Sequence, residues 1–337
     1  MALLFDFYKK RYIFASMSSK FEQQGRYIIQ NGQKYDLFDL PRGFVIYGDI
    51  TLSGLVDGTL PDMSDVVVMG RFACAGAMLS SLRGAPRFVM RDFNCSDNRL
   101  TDLKYITQDI RGGIICSNNR LGTLSGVQRS VAGDFICSNN DLGTLKGGPD
   151  IVLGDFVCSD NKLSDLNGGP QYVNKWYVCS RNQLVSLAGA PHSIGGGVFD
   201  CSNNRLVSMD GSPRYVSDAA IYSDNYISDL RGAPAVVGTQ VVCKNNPIVS
   251  LAGGANMRFG VSFECDLHSE YTVAPVELLA IRSSSFGSIA HNLLKCVLQP
   301  AGSHYNKRRD VITTWHQLTD AKSLKNIVNK QLCSREY

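Results

Sequence analysis

The sequence has little excess charge of either sign and no long apolar run. Its 337 residues hold 34 lysines and arginines against 30 aspartates and glutamates, a formal net charge of +4. Such a small excess gives no argument for a nucleic-acid or membrane partner. No apolar run reaches the roughly 18 residues of a transmembrane helix. The N-terminal "MALLFDFYKKRYIFASM" lacks the unbroken apolar core of a cleavable signal peptide. We therefore expect a cytoplasmic protein.

Histidine is also scarce, and its distribution excludes the usual metal-site patterns. The five histidines show no metal-ligand spacing: they are His192, His268, His291, His304 and His316. Cysteine–histidine catalysis would need a base near an accessible thiol, and the sequence places none there. We expect no cofactor, no metal and no enzymatic activity.

Cysteine, by contrast, is abundant and regularly spaced. Nine of the eleven cysteines follow one another at intervals of 21 or 22 residues, with Tyr222 in the one slot left open. The nine are Cys74, Cys95, Cys116, Cys137, Cys158, Cys179, Cys201, Cys243 and Cys265. A disulfide framework does not produce such regularity, so reduced thiols are expected. A fixed period near 20 indicates a solenoid.

One repeat can be numbered from its cysteine as position 0, and "GDFICSNNDLGTL" (133–145) is typical. Aromatic or aliphatic residues recur at −2, valine or isoleucine at −6, asparagine at +3, and leucine at +5 and +8. Apolar residues at −6, −2 and 0 predict a short strand with one face inward. Glycine at +10 and proline at +12 then turn the chain back.

These residues resemble the leucine-rich repeat consensus, in the short type known from bacterial and phage proteins. The resemblance implies an α/β repeat solenoid, with mostly short parallel strands in about ten turns. It also implies a protein-binding role on the concave strand face, in a bacterial or phage effector-type protein of the bacterial or host cytosol.

Stacked turns bring identical positions into ladders, and two ladders are predicted to form the wall of the solenoid. A free thiol facing inward behaves as a small hydrophobe, and an asparagine leaving the strand can satisfy backbone groups. The wall residues are Cys95, Cys116, Cys137, Cys158 and Cys179, with Asn98, Asn119, Asn140, Asn161 and Asn182.

The pattern fades at both ends, which predicts covers for the terminal turns. We expect an N-terminal cap over 1–43, the solenoid over 44–270, and a small helical C-terminal cap over 271–337. Apolar residues at helical spacing predict the cap helices near 286–297 and 321–332.

The candidate binding surface is a row of apolar residues at position −1, which should point outward from the strand. Solvent favours polar residues there, so a contiguous apolar row indicates a binding face, although β-branched residues also simply suit strands. Polar residues at +1 and +2 would form its rim. The candidate protein-binding residues are Ile115, Ile136, Val157, Trp176, Val178, Ile221 and Val242.

Three alternatives to a protein-binding module stay open. The same face could bind copies of itself in a structural or assembly protein, whereas we otherwise expect a monomer. The basic C-terminal segment "YNKRRD" (305–310) could bind nucleic acid, although we do not expect nucleic acid as the partner. Cys-Ser-Asp at 95–97 and 158–160 is similar to the nucleophile motif of repeat-linked bacterial ubiquitin ligases, but repeat alternation of Asp with Asn explains both.

Overall fold

The computed structural model describes residues 21–55, 57–250, 253–254, 257–260, 262–267 and 282–283. Short parallel strands, joined by turns, stack along the chain, which confirms the predicted parallel solenoid of about ten turns. The described residues contain no α-helix and therefore no helix long and apolar enough to cross a membrane. The predicted α/β class is wrong for the described solenoid, because its turns carry a second short strand where a helix was expected. Both predicted cap helices lie outside the described residues.

One side of every turn belongs to an eleven-stranded parallel sheet, here called the first wall. Its strands occupy positions −2 and −1, and they run in register from turn to turn. They are β5 Ile50–Thr51, β7 Phe72–Ala73, β9 Phe93–Asn94, β10 Ile114–Ile115, β12 Phe135–Ile136, β14 Phe156–Val157, β16 Tyr177–Val178, β18 Phe199–Asp200, β20 Ala220–Ile221, β22 Gln240–Ile248 and β24 Ser262–Leu267.

A second wall lies five residues earlier in each turn and consists of a three-stranded and an eight-stranded parallel sheet. The former has β4 Val45–Ile46, β6 Val67–Val68 and β8 Phe88–Val89. The latter has β11 Ser130–Val131, β13 Ile151–Val152, β15 Tyr172–Val173, β17 Ser193–Ile194, β19 Tyr215–Val216, β21 Val236–Val237, β23 Arg258–Phe259 and β25 Arg282–Ser283. Between them, the amide of Gln128 hydrogen-bonds the backbone N–H and C=O of Ile110 in place of a strand neighbour.

The single strand predicted between −6 and 0 is wrong, because each turn makes two strands in two different sheets. The chain bends at positions −5 to −3, where a corner glycine lets successive turns approach closely. A β-carbon at Gly154 would lie 2.6 Å from the backbone nitrogen of Asp134 in the preceding turn. Only glycine fits such an approach. The small residue at −4 therefore marks a corner, and the inward residues on either side of it belong to opposite walls.

The interior between the walls is filled by the repeated apolar positions. Residues at −6, −2, 0, +5 and +8 are buried in turn after turn, and the stacked rings of Phe135 and Phe156 lie 5.9 Å apart. Burying each leucine side chain contributes about 1.5–3 kcal/mol against the entropy of ordering the chain.

One turn exchanges its large and small interior residues. The usual aromatic at −2 becomes Ala220 and the usual cysteine at 0 becomes Tyr222, and both are fully buried. The Tyr222 ring lies 6.0 Å from that of Phe199, and its hydroxyl is 3.0 Å from Oγ of Ser212. The total volume is conserved, as close packing requires.

The N-terminal end of the solenoid is covered by a three-stranded antiparallel sheet of β1 Phe21–Gln24, β2 Tyr27–Gln30 and β3 Gln33–Asp36. Two glutamine amides close the open edges of the walls. Gln30 accepts from Tyr47 N–H and donates to Val45 C=O, both at 2.9 Å, and Gln23 bonds Thr51 N–H and C=O. Each amide imitates the peptide group of an absent neighbouring turn.

At the other end, the second wall continues past the predicted limit at 270. Strand β25 (Arg282–Ser283) pairs in parallel with β23 (Arg258–Phe259). The repeat motif has faded there, so the sequence pattern carries no sign of this last strand.

Candidate functional site

The cysteine ladder lies in the interior of the first wall. All nine repeat cysteines are free thiols and buried, including Cys95, Cys116, Cys137, Cys158 and Cys179. Burial raises the pKa of the five thiols from Cys95 to Cys179, to about 12 for Cys95. A thiol with such a pKa stays protonated at neutral pH and is a poor nucleophile.

The asparagine ladder bonds each turn to the one before it. The Asn140 side-chain nitrogen donates to the carbonyls of Cys116, Cys137 and Ser138 at 3.1, 3.0 and 3.2 Å. Its oxygen accepts the N–H of Leu121 at 3.0 Å. The same four-bond pattern recurs at Asn98, Asn119, Asn161 and Asn182. Asn119 is half-buried and the other four are buried.

The two Cys-Ser-Asp sequences lie in this wall. Asp97 follows Cys95 with a φ of 57°, and Asp160 follows Cys158 with a φ of 55°. Asp160 forms a bidentate ion pair with Arg181 at 2.6 and 2.8 Å. Each aspartate lies in the loop after its buried cysteine, exposed at Asp97 and half-buried at Asp160, so aspartate and thiol do not converge on a substrate site.

The apolar row at −1 lies on the outer face of the first wall. Direct in-register pairing joins Ile115, Ile136, Val157 and Val178 into an unbroken row, here called the first-wall stripe. Asn94 precedes the stripe, and Asp200 follows it. Ile221 and Val242 then continue the row beyond Asp200 as far as Glu264. All six apolar residues are half-buried, because in-register neighbours shield one another.

Trp176 lies beside the stripe at position −3 and is the most exposed of the candidate residues, at 50%. Its indole rests against Gly197 of the next turn, where any β-carbon would overlap the ring. Its backbone N–H donates to the Asp155 carboxylate at 3.1 Å. Asp155 thus fixes the backbone of Trp176 and Gly197 supports its indole, while half of the residue's surface stays exposed.

The glycine-rich "SIGGGVFD" (193–200) contains Gly197, on which the indole of Trp176 rests. Its extra residue lies in the corner between β17 and β18, and the strands on both sides keep their register with the preceding turn. The insertion is a bulge at the corner, and it exposes backbone for the indole to cover.

The outer face of the second wall carries apolar residues that the sequence reasoning missed. Ile151, Tyr172, Tyr215 and Val236 occupy its outward row and are 37–43% exposed. The available signal was an aromatic or β-branched residue at −7 beside the repeated valine at −6. It gains meaning only once −7 and −1 are known to lie in different sheets.

Among the described residues, no three of the histidines, cysteines, aspartates and glutamates come together as a metal site would require. The basic segment at 305–310, and His268, His291, His304 and His316, lie outside the described residues.

Comparisons with known proteins add little. No protein-family model and no curated protein sequence matches the chain. Among solved structures it is similar to "YopM from Yersinia enterocolitica WA-314", with 18% identity and a TM-score of 0.32. That match covers 66% of this chain and 61% of the other.

Proposed function

We propose that the chain is a non-enzymatic protein-binding module that holds its partner on the outer face of the first wall. The observation that carries the proposal is the first-wall stripe with the half-exposed Trp176 at its side. The Cys-Ser-x-Asn and Gly-x-Pro repeats support placing it with the short bacterial and phage leucine-rich-repeat proteins.

Three properties of this surface favour a protein partner. It is apolar along four successive turns, and its polar neighbours at +2 supply a rim, whereas Ser159 and Ser180 of the predicted +1 rim are buried. Its backbone is ordered by strand pairing on both sides, which lowers the entropic cost of binding. Trp176 is a large side chain with one face supported and the other free, and tryptophan is enriched among the residues that dominate interfaces.

Nothing in the wall favours catalysis over binding. The thiols next to the stripe are buried behind it, and burial raises their pKa. The neighbouring asparagine amides are consumed by hydrogen bonds to backbone. A structural or assembly role for the same face is the alternative, with a second copy or a virion component as the partner.

The test uses two aromatic substitutions within one turn. Partners are captured from a lysate of the source cells and identified, and the affinity of the purified partner is then measured for wild type, Trp176→Ala and Tyr172→Ala. Tyr172 has a similar exposure, 43%, but lies on the second wall, so it is the matched control. We expect Trp176→Ala to weaken binding by about 2 kcal/mol, roughly thirtyfold, with little change in thermal midpoint.

Val157→Asp should have the same effect, since it places an unpaired charge in the contact. Loss of the partner on Tyr172→Ala, with Trp176→Ala unaffected, would move the binding face to the second wall. Light scattering after size exclusion examines the assembly alternative. A dimer that Val157→Asp dissociates would show that the stripe binds a second copy.

A further inference from the structure

The outer face of the second wall contains a groove of about 590 Å³ near the C-terminal end of the described solenoid. It is lined by His192, Arg214, Tyr215, Ala235, Val236 and Arg258, and it is here called the Arg214–Arg258 groove. Tyr215, Val236 and Arg258 are in-register neighbours on β19, β21 and β23. The groove therefore spans three adjacent strands and lies on a different sheet from the first-wall stripe.

The repeat itself explains why this part of the wall is cationic. Position −8 holds arginine at Arg87, Arg129 and Arg214, and the residue at −8 in the next turn is the neighbour of each. Asp150 holds this position in the turn after Arg129, and the two residues form an ion pair at 2.8 Å. Ala235, which carries no charge, holds this position in the turn after Arg214. Within the described residues the Arg214 guanidinium makes no ion pair or side-chain hydrogen bond, so its charge is uncompensated.

Arg258 adds a second cation on the far side of Val236. It lies two turns beyond Arg214, about 10 Å along the stacking axis at one strand spacing per turn. Its strand β23 pairs with β25, which places Arg282 next to it in register. Aspartate and glutamate are absent from the lining described above. The two guanidiniums thus face a common groove whose lining brings no negative charge.

The floor of the groove is apolar. Ala235 and Val236 form it, Tyr215 flanks it, and the tyrosine and valine are 43% and 37% exposed. Exposed tyrosine and arginine together are the residue types enriched at protein interfaces. A ligand that satisfies this groove needs carboxylates for the arginines and an apolar side chain for the floor.

We propose that the Arg214–Arg258 groove is a second binding site, which takes an acidic peptide segment of a protein partner. Carboxylates of the segment pair with the two guanidiniums, which can hold them in bidentate fashion. An intervening apolar side chain packs on Val236 and Tyr215. Nucleic acid fits less well, because Arg111 and Arg129 on the same wall are already paired with Asp109 and Asp150. The unpaired charge is too short a track for a phosphate backbone.

The experiment measures fluorescence anisotropy of a short labelled peptide in which glutamates flank two leucines, at low ionic strength. We expect wild type to bind it and Arg214→Ala to weaken the affinity at least about tenfold, whereas Arg214→Lys, which keeps the charge, should lose less. Arg129→Ala is the matched control, since it removes an arginine from the same repeat position where Asp150 compensates it. It should leave the affinity unchanged, and so should Trp176→Ala, which tests the first wall separately.

Three outcomes would overturn the proposal. The first is absence of binding by wild type. The second is equal weakening by Arg129→Ala and Arg214→Ala, which would mean diffuse electrostatic attraction. The third is Arg214-dependent binding of a short oligothymidylate, or of the same peptide with glutamine for glutamate, in preference to the acidic peptide. Circular dichroism of each variant shows whether the fold is kept, so a loss of binding can be separated from a loss of structure.

Discussion

Asn139 and Asn140 are the same residue type and adjacent in the chain, yet they belong to opposite regions of the turn. Asn140 is 8% exposed and makes four hydrogen bonds to the backbone of two turns. Asn139 is exposed, has a φ of 53°, and donates one bond to Asn118 of the preceding turn at 2.7 Å. The inner asparagines bond the turns together, and the outer ones adopt the left-handed backbone conformation that bends the chain.

The difference shows what each ladder demands of its residues. The inner position needs an amide with a donor and an acceptor, and only asparagine occurs there from Asn98 to Asn246. The outer position needs tolerance of positive φ, and it accepts aspartate and arginine as well as asparagine; these are Asp97, Asp160, Arg181 and Asp224. Asparagine and aspartate tolerate the left-handed region better than most residues. The sequence reasoning treated the outer position as an ordinary polar rim, and its backbone conformation is a finding of the structure.

Alkaline pH should separate the two regions most strongly, because the inner region contains buried thiols that ionise near pH 8.5 once the chain unfolds. Burial raises the pKa of the seven ladder thiols from Cys74 to Cys201. Above about pH 8.5 a thiol ionises in the unfolded chain but stays neutral in the folded one. The stability each thiol contributes is therefore complete below that pH and is lost as pH rises, by up to about 1.4 kcal/mol per pH unit.

Seven such thiols make the combined loss larger than that of any single substitution. We expect the thermal midpoint, followed by circular dichroism, to fall steeply between about pH 8 and pH 10. Cys137→Ala with Cys158→Ala should make the fall shallower, although cavities lower the starting midpoint. A midpoint independent of pH over this interval would mean that the thiols are accessible in the folded chain.

Replacing Asn140 by alanine should have the next largest effect. It leaves the buried Leu121 N–H without an acceptor. It also removes one donor from each of three carbonyl groups, which keep a second donor from Asn119, Asn161 and the Asn118 N–H. We expect the free energy of unfolding to drop by about 3 kcal/mol, since one unsatisfied buried N–H costs roughly 1–3 kcal/mol and the lost bonds to the carbonyls add about 1 kcal/mol or less each. Urea denaturation measures the change, and Asn140→Gly should be at least as damaging.

The same substitutions at Asn139 should have a smaller and different effect. Asn139→Ala places a β-carbon at positive φ and should cost about 1 kcal/mol, whereas Asn139→Gly should be close to neutral because glycine adopts this conformation freely. At position 140 glycine should destabilise at least as much as alanine, whereas at position 139 alanine should destabilise more than glycine. The same urea titration measures both differences in the free energy of unfolding. If alanine and glycine are equivalent at 139, the backbone conformation does not govern that position.

Much of the fold could be predicted from the repeat alone, for a physical reason. Residues one period apart must stack at one strand spacing, so any position that is apolar in every turn has to face the interior. Cys137 and Leu142 could be assigned inward on that basis. The placement of Ile136, Val157 and Val178 on one outer face follows from the same stacking. Their half-burial does not, because it depends on how much each neighbour covers.

The second wall marks the limit of that reasoning. The corner at Gly154 was visible as a small residue, but the sequence does not say that the chain bends there into a second sheet. Without that bend, Tyr172 and Tyr215 carry no sign of being on a common surface. The Arg214–Arg258 groove is harder still to predict from the sequence. Its free charge arises because Arg214 has Ala235 as its neighbour, whereas Arg129 has Asp150.

The sequence by itself determined the period, the parallel stacking and the identity of the inner ladders. Repetition turns local chemistry into a long-range constraint, since every turn sees a near copy of itself on either side. Only the tertiary structure decided what the outside of the molecule presents. Exposure and charge there depend on particular neighbours across turns, such as Gly197 under Trp176 or Ala235 where another turn has Asp150. Such neighbours are the exceptions to the repeat, and a consensus cannot predict them.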